Sequence, residues 1–315
     1  MPSLLTHYFF AKDFFESNED SCSFLKGNKE YFLLGAQGPD SYFFYGLYPK
    51  KGLHISHALK KYGSHIHKSN GELYFKLLLE EKDSIQDEKE RNAFMSFIYG
   101  QFSHYILDST THPYIFYFSG FDKDGNLTKE YHYRHAHFEA RIDSILIDRY
   151  EASQNLKRRP QDILCTDKEV LELISRHQDN VMQKIFSNKL RKNMYKDAVE
   201  CMVGLYSFTN DKSNFRNKLL GKSMLAGLII PKSTSDRLLN EEKKTWVNPV
   251  TNTKYDLSFI ELMEKARYKM NKSALVFKDD IVNDEIKAFF SSINFSGVPV
   301  DSKLTYQDES EEFLK

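Results

Sequence analysis

Apolar and polar residues alternate along most of this chain with the period of an α-helix. The stretch 88–108 shows the pattern best, because its apolar residues recur every three or four positions. On the same basis, helices are predicted over 4–16, 71–82, 88–108, 136–151, 167–190, 193–208, 212–227, 256–277 and 282–292. Alternating β-branched runs, which are typical of strands, are nearly absent. The pattern therefore predicts an all-α protein.

Turn-forming and polar segments separate these predicted helices. Loops are predicted at three stretches rich in Gly, Pro, Asn and Asp, namely 35–40, 121–126 and 247–256. A polar segment that contains a proline, 152–165, divides the chain into an amino-terminal half, 1–151, and a carboxy-terminal half, 152–315. We predict that both halves are helical and that they pack into a single multi-helix bundle, since 315 residues are enough for one large core.

Composition and charge are those of an ordinary soluble protein and argue against several classes. Apolar residues make up 41% of the chain and charged residues 28%. The 44 basic and 44 acidic residues cancel, so no overall field favours nucleic acid and we expect no stable nucleic-acid complex. No apolar run of transmembrane length and no signal peptide is visible, so a cytoplasmic protein is expected. Three widely spaced cysteines indicate neither a disulfide framework nor a thiolate zinc site.

Histidine is concentrated at the front of the chain, where ten of the eleven lie within the first 137 residues. In the stretch SHYILDSTTHPYIFYF, His104, Asp108 and His112 stand at four-residue intervals. Side chains four apart share one face of a helix, and imidazole with carboxylate suits Zn²⁺. Because proline disrupts a helix, Pro113 predicts that this helix ends at about His112. The alternative is a histidine paired with a local aspartate on a partly exposed face.

A second histidine–carboxylate pair follows in HAHFEARID. His135 and Glu139 are also four apart, near the start of a helix whose other face is apolar. Taken alone, Glu139 fits a simple interaction with the helix dipole. Metal sites inside helical bundles, however, take a carboxylate and a histidine from each of several facing helices. Two such pairs on separate helices therefore favour a metal site.

Several other candidate residues have ordinary structural explanations as well. Asp40 follows a Gly–Pro turn, where an aspartate often caps the next helix. His7 lies in an apolar helix, where a lone histidine is usually a satisfied core residue. Spacing alone does not say which, if any, of one loose group of histidines binds a metal, namely His54, His57, His65 and His67. Aromatic residues also flank the candidate ligands in the sequence. They could belong to the core, or they could stack on a cationic head group of the substrate. They are Tyr42, Phe43, Phe44, Tyr45, Tyr114, Phe116 and Tyr117.

Five segments together resemble the zinc-dependent phospholipase C family of bacteria. In chain order they are THYFF, LLGAQGPDSYFFY, HKSNGELYF, SHYILDSTTHPYI and HAHFEARID. A later segment, NPVTNTKYDLSFIELMEKA, is similar to the carboxy-terminal stretch of one branch of that family. The resemblance implies an all-α bundle with a multinuclear zinc site between its helices. It also implies a phospholipid or a related small phosphodiester as the substrate.

Position by position, the resemblance implies eight zinc ligands. They are His7, Asp40, His67, His104, Asp108, His112, His135 and Glu139. Secreted members of the family bind three zinc ions and use the amino-terminal residue of the mature chain for one of them. Six residues precede His7 here, so we expect two or three ions. The resemblance further implies that Asp40 is the general base or the carboxylate that orients the attacking water.

The expected reaction is hydrolysis of the glycerol–phosphate bond of a phospholipid by a metal-activated water. Two alternatives stay open. The first is a zinc-dependent single-strand nuclease or other phosphodiesterase, because zinc nucleases of fungi and plants share this fold and cluster. The neutral net charge mildly disfavours a nuclease. The second alternative is a non-catalytic helical protein that binds the metals for stability.

Overall fold

A computed structural model describes a protein built almost entirely of helices. The described residues are 4–47, 60–69, 71–119, 130–154, 163–186, 191–209, 224–232, 234–277 and 293–299. Their α-helices are α1 (Leu4–Asn18), α2 (Lys29–Gly35), α3 (Ser41–Phe44), α4 (Lys60–Lys68), α5 (Gly71–Asp83), α6 (Glu88–Phe118), α7 (Tyr131–Gln154), α8 (Lys168–Phe186), α9 (Met194–Thr209), α10 (Met224–Gly227) and α11 (Phe259–Phe277). Short 3₁₀ turns cover Gly38–Asp40 and Asp236–Leu239, and two short strands, β1 (Trp246–Val247) and β2 (Lys254–Tyr255), pair antiparallel. The predicted all-α fold class is confirmed.

Helix α6 is the central element of the fold. It packs against α1, α2, α5, α7, α8 and α11. Between Ala93 and Phe118 nearly every side chain is buried, as expected for a helix with apolar residues on all its faces. Polar side chains on such a helix lose their contact with water, so each of them needs a partner inside the protein.

The prediction that this helix ends at about His112 is wrong, because α6 passes through Pro113 and ends at Phe118. Proline lacks the N–H that would bond to the carbonyl four residues earlier, so the continuation loses one helical hydrogen bond. Packing compensates for this loss. Tyr114 is fully buried, and its hydroxyl donates a hydrogen bond of 2.7 Å to the carbonyl of Leu238.

Two glycines allow α2 and α6 to cross with their backbones in contact. A Cβ atom on Gly35 would overlap the carbonyl of Phe97, and one on Gly100 would overlap the carbonyl of Phe32. Helix α2 leads directly into the Gly38–Asp40 turn. The close crossing therefore sets that turn against the middle of α6.

Most of the predicted helices are confirmed to within a few residues, but short α2, α3 and α4 were not predicted. The predicted loop at 35–40 is largely a helix end and a 3₁₀ turn, and the loop at 247–256 contains β2 and the turn before it. Helix 282–292, loop 121–126 and most of 212–227 lie outside the described residues. No helix in the described part of the chain is long and apolar enough to cross a membrane.

The main apolar cluster contains residues from both predicted halves, from Leu5 in α1 to Phe295 near the carboxy terminus. Helices α6 and α8, on opposite sides of the segment 152–165, pack against each other. Most of that segment lies outside the described residues, so the division of the chain there stays a prediction.

Candidate metal centre

Helix α6 carries three polar side chains of the candidate centre on one face. His104, Asp108 and His112 are each no more than 5% exposed. The Asp108 carboxylate lies between the two rings, with Oδ2 at 3.1 Å from Nε2 of His104 and Oδ1 at 3.5 Å from Nδ1 of His112. The face is buried, which excludes the alternative of a histidine–aspartate pair on a partly exposed surface.

Helix α1 adds His7 to the same face of α6. Its Nε2 lies 3.0 Å from Oδ1 of Asp108, and its ring stacks on that of His104 with centroids 4.0 Å apart. The Nδ1 atom of His7 is buried and has no hydrogen-bond partner among the described residues. His7 is therefore not a core histidine with its hydrogen bonds satisfied, which was the ordinary explanation.

The Gly38–Asp40 turn places Asp40 opposite His104. Gly38 has a positive φ of 59°, and a Cβ atom on it would overlap the His104 ring. Asp40 precedes α3, but its side chain makes no capping hydrogen bond, so the helix-cap explanation is wrong. Its Oδ2 lies 3.4 Å from Nε2 of His104 instead.

Of the four loosely grouped histidines, His67 joins the centre. Its Nε2 lies 2.8 Å from Oδ1 of Asp40 and 3.9 Å from Oδ2 of Asp108. His65, on the same helix α4, contacts the ring of Phe186 instead. His54 and His57 lie outside the described residues.

A second cluster forms where α7 meets α6. His135 Nε2 lies 3.3 Å from Oε1 of Glu139, and His112 Nε2 lies 3.8 Å from the same oxygen. The rings of His112 and His135 are nearly parallel. The fold thus brings all eight candidate side chains into two neighbouring clusters. We call them the first group (His7, Asp40, His67, His104 and Asp108) and the second group (His112, His135 and Glu139).

Backbone carbonyls determine which ring nitrogen faces each carboxylate. Nδ1 of His104 donates to the carbonyl of Ala36 at 3.1 Å, and Nδ1 of His67 donates to that of Gly63 at 2.7 Å. A carbonyl can only accept, so Nδ1 carries the proton in both rings. A neutral ring would then aim its Nε2 lone pair at a carboxylate oxygen. These short contacts therefore require a proton or a metal cation between the two atoms.

The first group strongly attracts positive charge. Burial lowers the pKa of His104, but the carboxylates of Asp108 and Asp40 outweigh it and raise that pKa to about 9. Burial likewise raises the pKa of Asp108, and the surrounding histidines outweigh it and hold that pKa well below its ordinary value. The pKa of Asp40 is lowered in the same way.

Burial dominates in the second group. It lowers the pKa of His112 to about 4 and raises the pKa of Glu139 to about 7. The pKa of His135 is also well below its ordinary value because of burial. The second group thus holds neutral imidazole nitrogens beside a carboxylate whose ionisation is costly without a positive charge nearby. A divalent cation would supply that charge.

Comparison with known families matches residues 6–196 to the model of the zinc dependent phospholipase C family. The match covers more than half of the chain and includes all eight candidate residues. The chain belongs to the zinc dependent phospholipase C family. No curated protein and no solved structure matches the chain.

The zinc that this phospholipase C family requires fits the donor atoms of both groups. Each of His7, Asp40, His104 and Asp108 offers one ligand atom, and these atoms lie within 4.8 Å of one another; the same holds for the second group. Both Asp40 oxygens, Nε2 of His104 and Oε2 of Glu139 are buried without a hydrogen-bond partner among the described residues. Nitrogen and oxygen donors left in this state are what a zinc ion binds.

Two residues that support the candidate centre were missed by sequence reasoning. Asp143 accepts hydrogen bonds from the backbone N–H groups of Leu5 and Thr6 and so holds the first turn of α1, which carries His7. Ser119 donates its hydroxyl proton to a helix carbonyl, so its oxygen accepts from Nδ1 of His135. Only Asp143 had a sequence signal, because it continues the four-residue spacing of His135 and Glu139.

The aromatic residues that flank the motifs divide between core and site. Phe43 contacts the His67 ring, and Phe116 contacts the rings of both His112 and His135. The others belong to the buried core, namely Tyr42, Phe44, Tyr45, Tyr114 and Tyr117.

Proposed function

We propose that this protein is a zinc-dependent phosphodiester hydrolase of the phospholipase C type that acts on a phospholipid head group. One zinc ion would be bound by the first group and one by the second. The observation that carries the proposal is the pair of adjacent, buried donor groups, with Asp108 between them, in a member of a zinc-dependent family.

Zinc ions held by these two groups would supply an activated water, whose pKa is lowered to about 7, and would polarise the phosphodiester. Asp40 would orient that water and accept its proton, because its carboxylate lies in the first group and His104 and His67 lower its pKa in the metal-free protein. Attack at phosphorus would break the bond to the glycerol oxygen, which would take up the proton that Asp40 had accepted. The products would be diacylglycerol and a phosphorylated head group.

Hydrogen bonds to Nδ1 of three histidines would determine which ring nitrogen binds zinc. Ala36 and Gly63 fix the Nδ1–H of His104 and His67, so both rings present Nε2 to the first group. Ser119 does the same for His135 in the second group. Such partners fix ring orientation and raise the basicity of the ligand.

The test is to count zinc by mass spectrometry in the purified protein and to measure head-group release from phosphatidylcholine. We expect two zinc ions per chain and activity that a chelator abolishes. Asp40→Asn should lower kcat by about 10²-fold or more, as for loss of a general base. Asp197→Asn, which changes a buried carboxylate on α9 away from the centre, is the matched control and should keep its activity.

Other outcomes would replace this proposal. A zinc-loaded protein that ignores phospholipid but digests single-stranded DNA would be a nuclease. If chelation lowered the melting temperature of a protein inert towards every phosphodiester, the metals would be structural.

Glu139→Gln should bind one zinc instead of two, since it changes the carboxylate that both histidines of the second group face.

A further inference from the structure

A short segment near the carboxy terminus forms a tight turn beside the metal centre. Residues 293–299 lie outside the span matched by the family. Ile293 and Pro299 form an antiparallel bridge, and the N–H of Asn294 donates to the carbonyl of Val298 at 2.9 Å. The side chain of Asn294 accepts from the N–H groups of Ser296 and Val298. The segment therefore has a defined shape of its own.

This segment is attached to α6 along a stripe next to the candidate ligands. The Tyr105 hydroxyl donates to the carbonyl of Ile293 at 2.9 Å. Gly297 has a positive φ of 70° and lies against Ser109 and Pro113, where a Cβ atom would overlap the Ser109 carbonyl. The three attachment residues of α6 each follow a candidate ligand by one position, since His104, Asp108 and His112 precede them.

The attachment brings Phe295 against the first group. Phe295 is fully buried, and its ring centroid lies 5.2 Å from that of His67 and 6.0 Å from that of His104. Its ring also contacts those of Tyr105 and Phe75. Phe295, which follows the last residue of the first group in the chain by 187 positions, thus forms part of the wall around the centre.

His67 lies on a shorter helix than the other two histidines of the first group. It lies on the nine-residue helix α4, whereas His7 and His104 lie on long helices packed in the core. Besides the Gly63 carbonyl and the edge of the His104 ring, the His67 ring contacts Phe43 and Phe295, each with centroids 5.2 Å apart. Removing one of the two phenylalanines would let the ring leave the orientation in which Nε2 faces Asp40.

We propose that the segment 293–299 is part of the metal centre and that Phe295 is a positioning residue, which holds the His67 ring for zinc binding. The inference rests on the zinc centre proposed above. It adds that zinc affinity depends on the carboxy-terminal segment. By thermodynamic linkage, zinc must then stabilise the attachment of that segment.

The experiment measures zinc affinity by competition with a chelating indicator. Phe295→Ala should weaken one of the two zinc sites by about tenfold or more, the range seen when a supporting partner of a ligand is lost. Phe295→Leu should fall between this variant and the wild type. The matched control is Val298→Ala, which truncates a buried side chain of the same segment that packs against Phe116 and Tyr131.

A double-mutant cycle separates positioning from general destabilisation. If Phe295 acts through His67, the double variant His67→Ala/Phe295→Ala should bind zinc no more weakly than His67→Ala alone. If Phe295→Ala lowered the melting temperature but left the zinc affinity unchanged, the proposal would be overturned. Wild-type protein that binds no zinc would overturn the centre itself, which distinguishes the two failures.

Hydrogen exchange tests the same coupling without any substitution, in case Phe295→Ala does not fold. Adding zinc to metal-free wild-type protein should slow exchange of the Asn294 and Gly297 amides, both of which donate hydrogen bonds within the segment. The slowing should exceed that of amides in the middle of α9. Equal effects in both places would contradict the inference.

Discussion

The three carboxylates of the centre experience different surroundings although they lie within one small region. Asp40 and Asp108 are surrounded by histidines, which keep their pKa values low. The pKa of Glu139 is raised to about 7, because the effect of burial outweighs the attraction of the nearby His112. In the metal-free protein Glu139 therefore binds a proton below about pH 7, which a zinc ion would displace.

This difference predicts a pH effect on the metal-free protein. Because the pKa of Glu139 is about 7 when folded and 4.5 in the unfolded chain, its contribution to stability is present below pH 4.5 and is lost as pH rises to 7. The loss is about 3 kcal/mol at 1.36 kcal/mol per pKa unit. Urea unfolding in chelator should show Glu139→Gln gaining on the wild type by about this amount between pH 4.5 and 7.5.

The surface variant Glu80→Gln is the control for this measurement, since Glu80 is exposed on α5. Its stability should follow that of the wild type over the same pH range. Parallel curves for Glu139→Gln and the wild type would show that the Glu139 carboxyl is not perturbed.

A second prediction at this scale concerns Gly38, which carries both a positive φ and the contact with His104. Gly27 has a positive φ of 74° but nothing within 4 Å of a Cβ atom, so it isolates the backbone cost. Gly27→Ala should destabilise by about 1 kcal/mol. Gly38→Ala should cost clearly more and should also weaken zinc binding. Equal costs and unchanged affinity would mean that the contact with His104 is unimportant.

Among the elements, the crossing of α2 and α6 decides where the Asp40 turn lies. Alanine is about 1 kcal/mol more favourable than glycine inside a helix. Overpacking, however, costs about 1–3 kcal/mol. Gly100→Ala should therefore destabilise the protein in urea unfolding, because its Cβ would overlap the carbonyl of Phe32. If Gly100→Ala were more stable than the wild type, the backbones of α2 and α6 would not be in contact. The sign of the change in unfolding free energy therefore distinguishes the two cases.

The helical spacing of apolar residues predicted the bounds of most long helices well. It failed where a residue such as Pro113 disfavours a helix locally but tertiary packing stabilises one. The stripe of 88–108 predicted most of α6, whereas Pro113 misplaced its end by about one and a half turns. The three missed helices are short, and α3 is a single turn of four residues. A four-residue segment carries too little periodicity to be recognised, so its conformation is stabilised by contacts with α4 and α9.

For the whole molecule, the shared core predicts that the two halves unfold together. All eight candidate ligands lie within 1–151, but the main apolar cluster includes residues from both halves. Scanning calorimetry of metal-free protein should show one transition. Zinc at 1,000 times its dissociation constant adds about 4 kcal/mol, so the whole transition should move upward. Two transitions, of which zinc moves only one, would contradict a single domain.

The sequence by itself determined the candidate donor residues and their local arrangement. Four-residue spacing on one helix is a property of the backbone, so His104, Asp108 and His112 had to share a face. The order of the motifs along the chain also pointed to His67, Asp40 and His7 as ligands. These features need only local geometry or a comparison of residue patterns.

Only the tertiary structure decided how the parts meet. It made Asp40 a member of the first group instead of a helix cap, directed His65 away and His67 inward, and set Asp143 behind His7. It also placed Phe295 beside the centre. These outcomes depend on contacts between residues far apart in the chain. No local pattern encodes such contacts, because they arise from the packing of whole helices around α6.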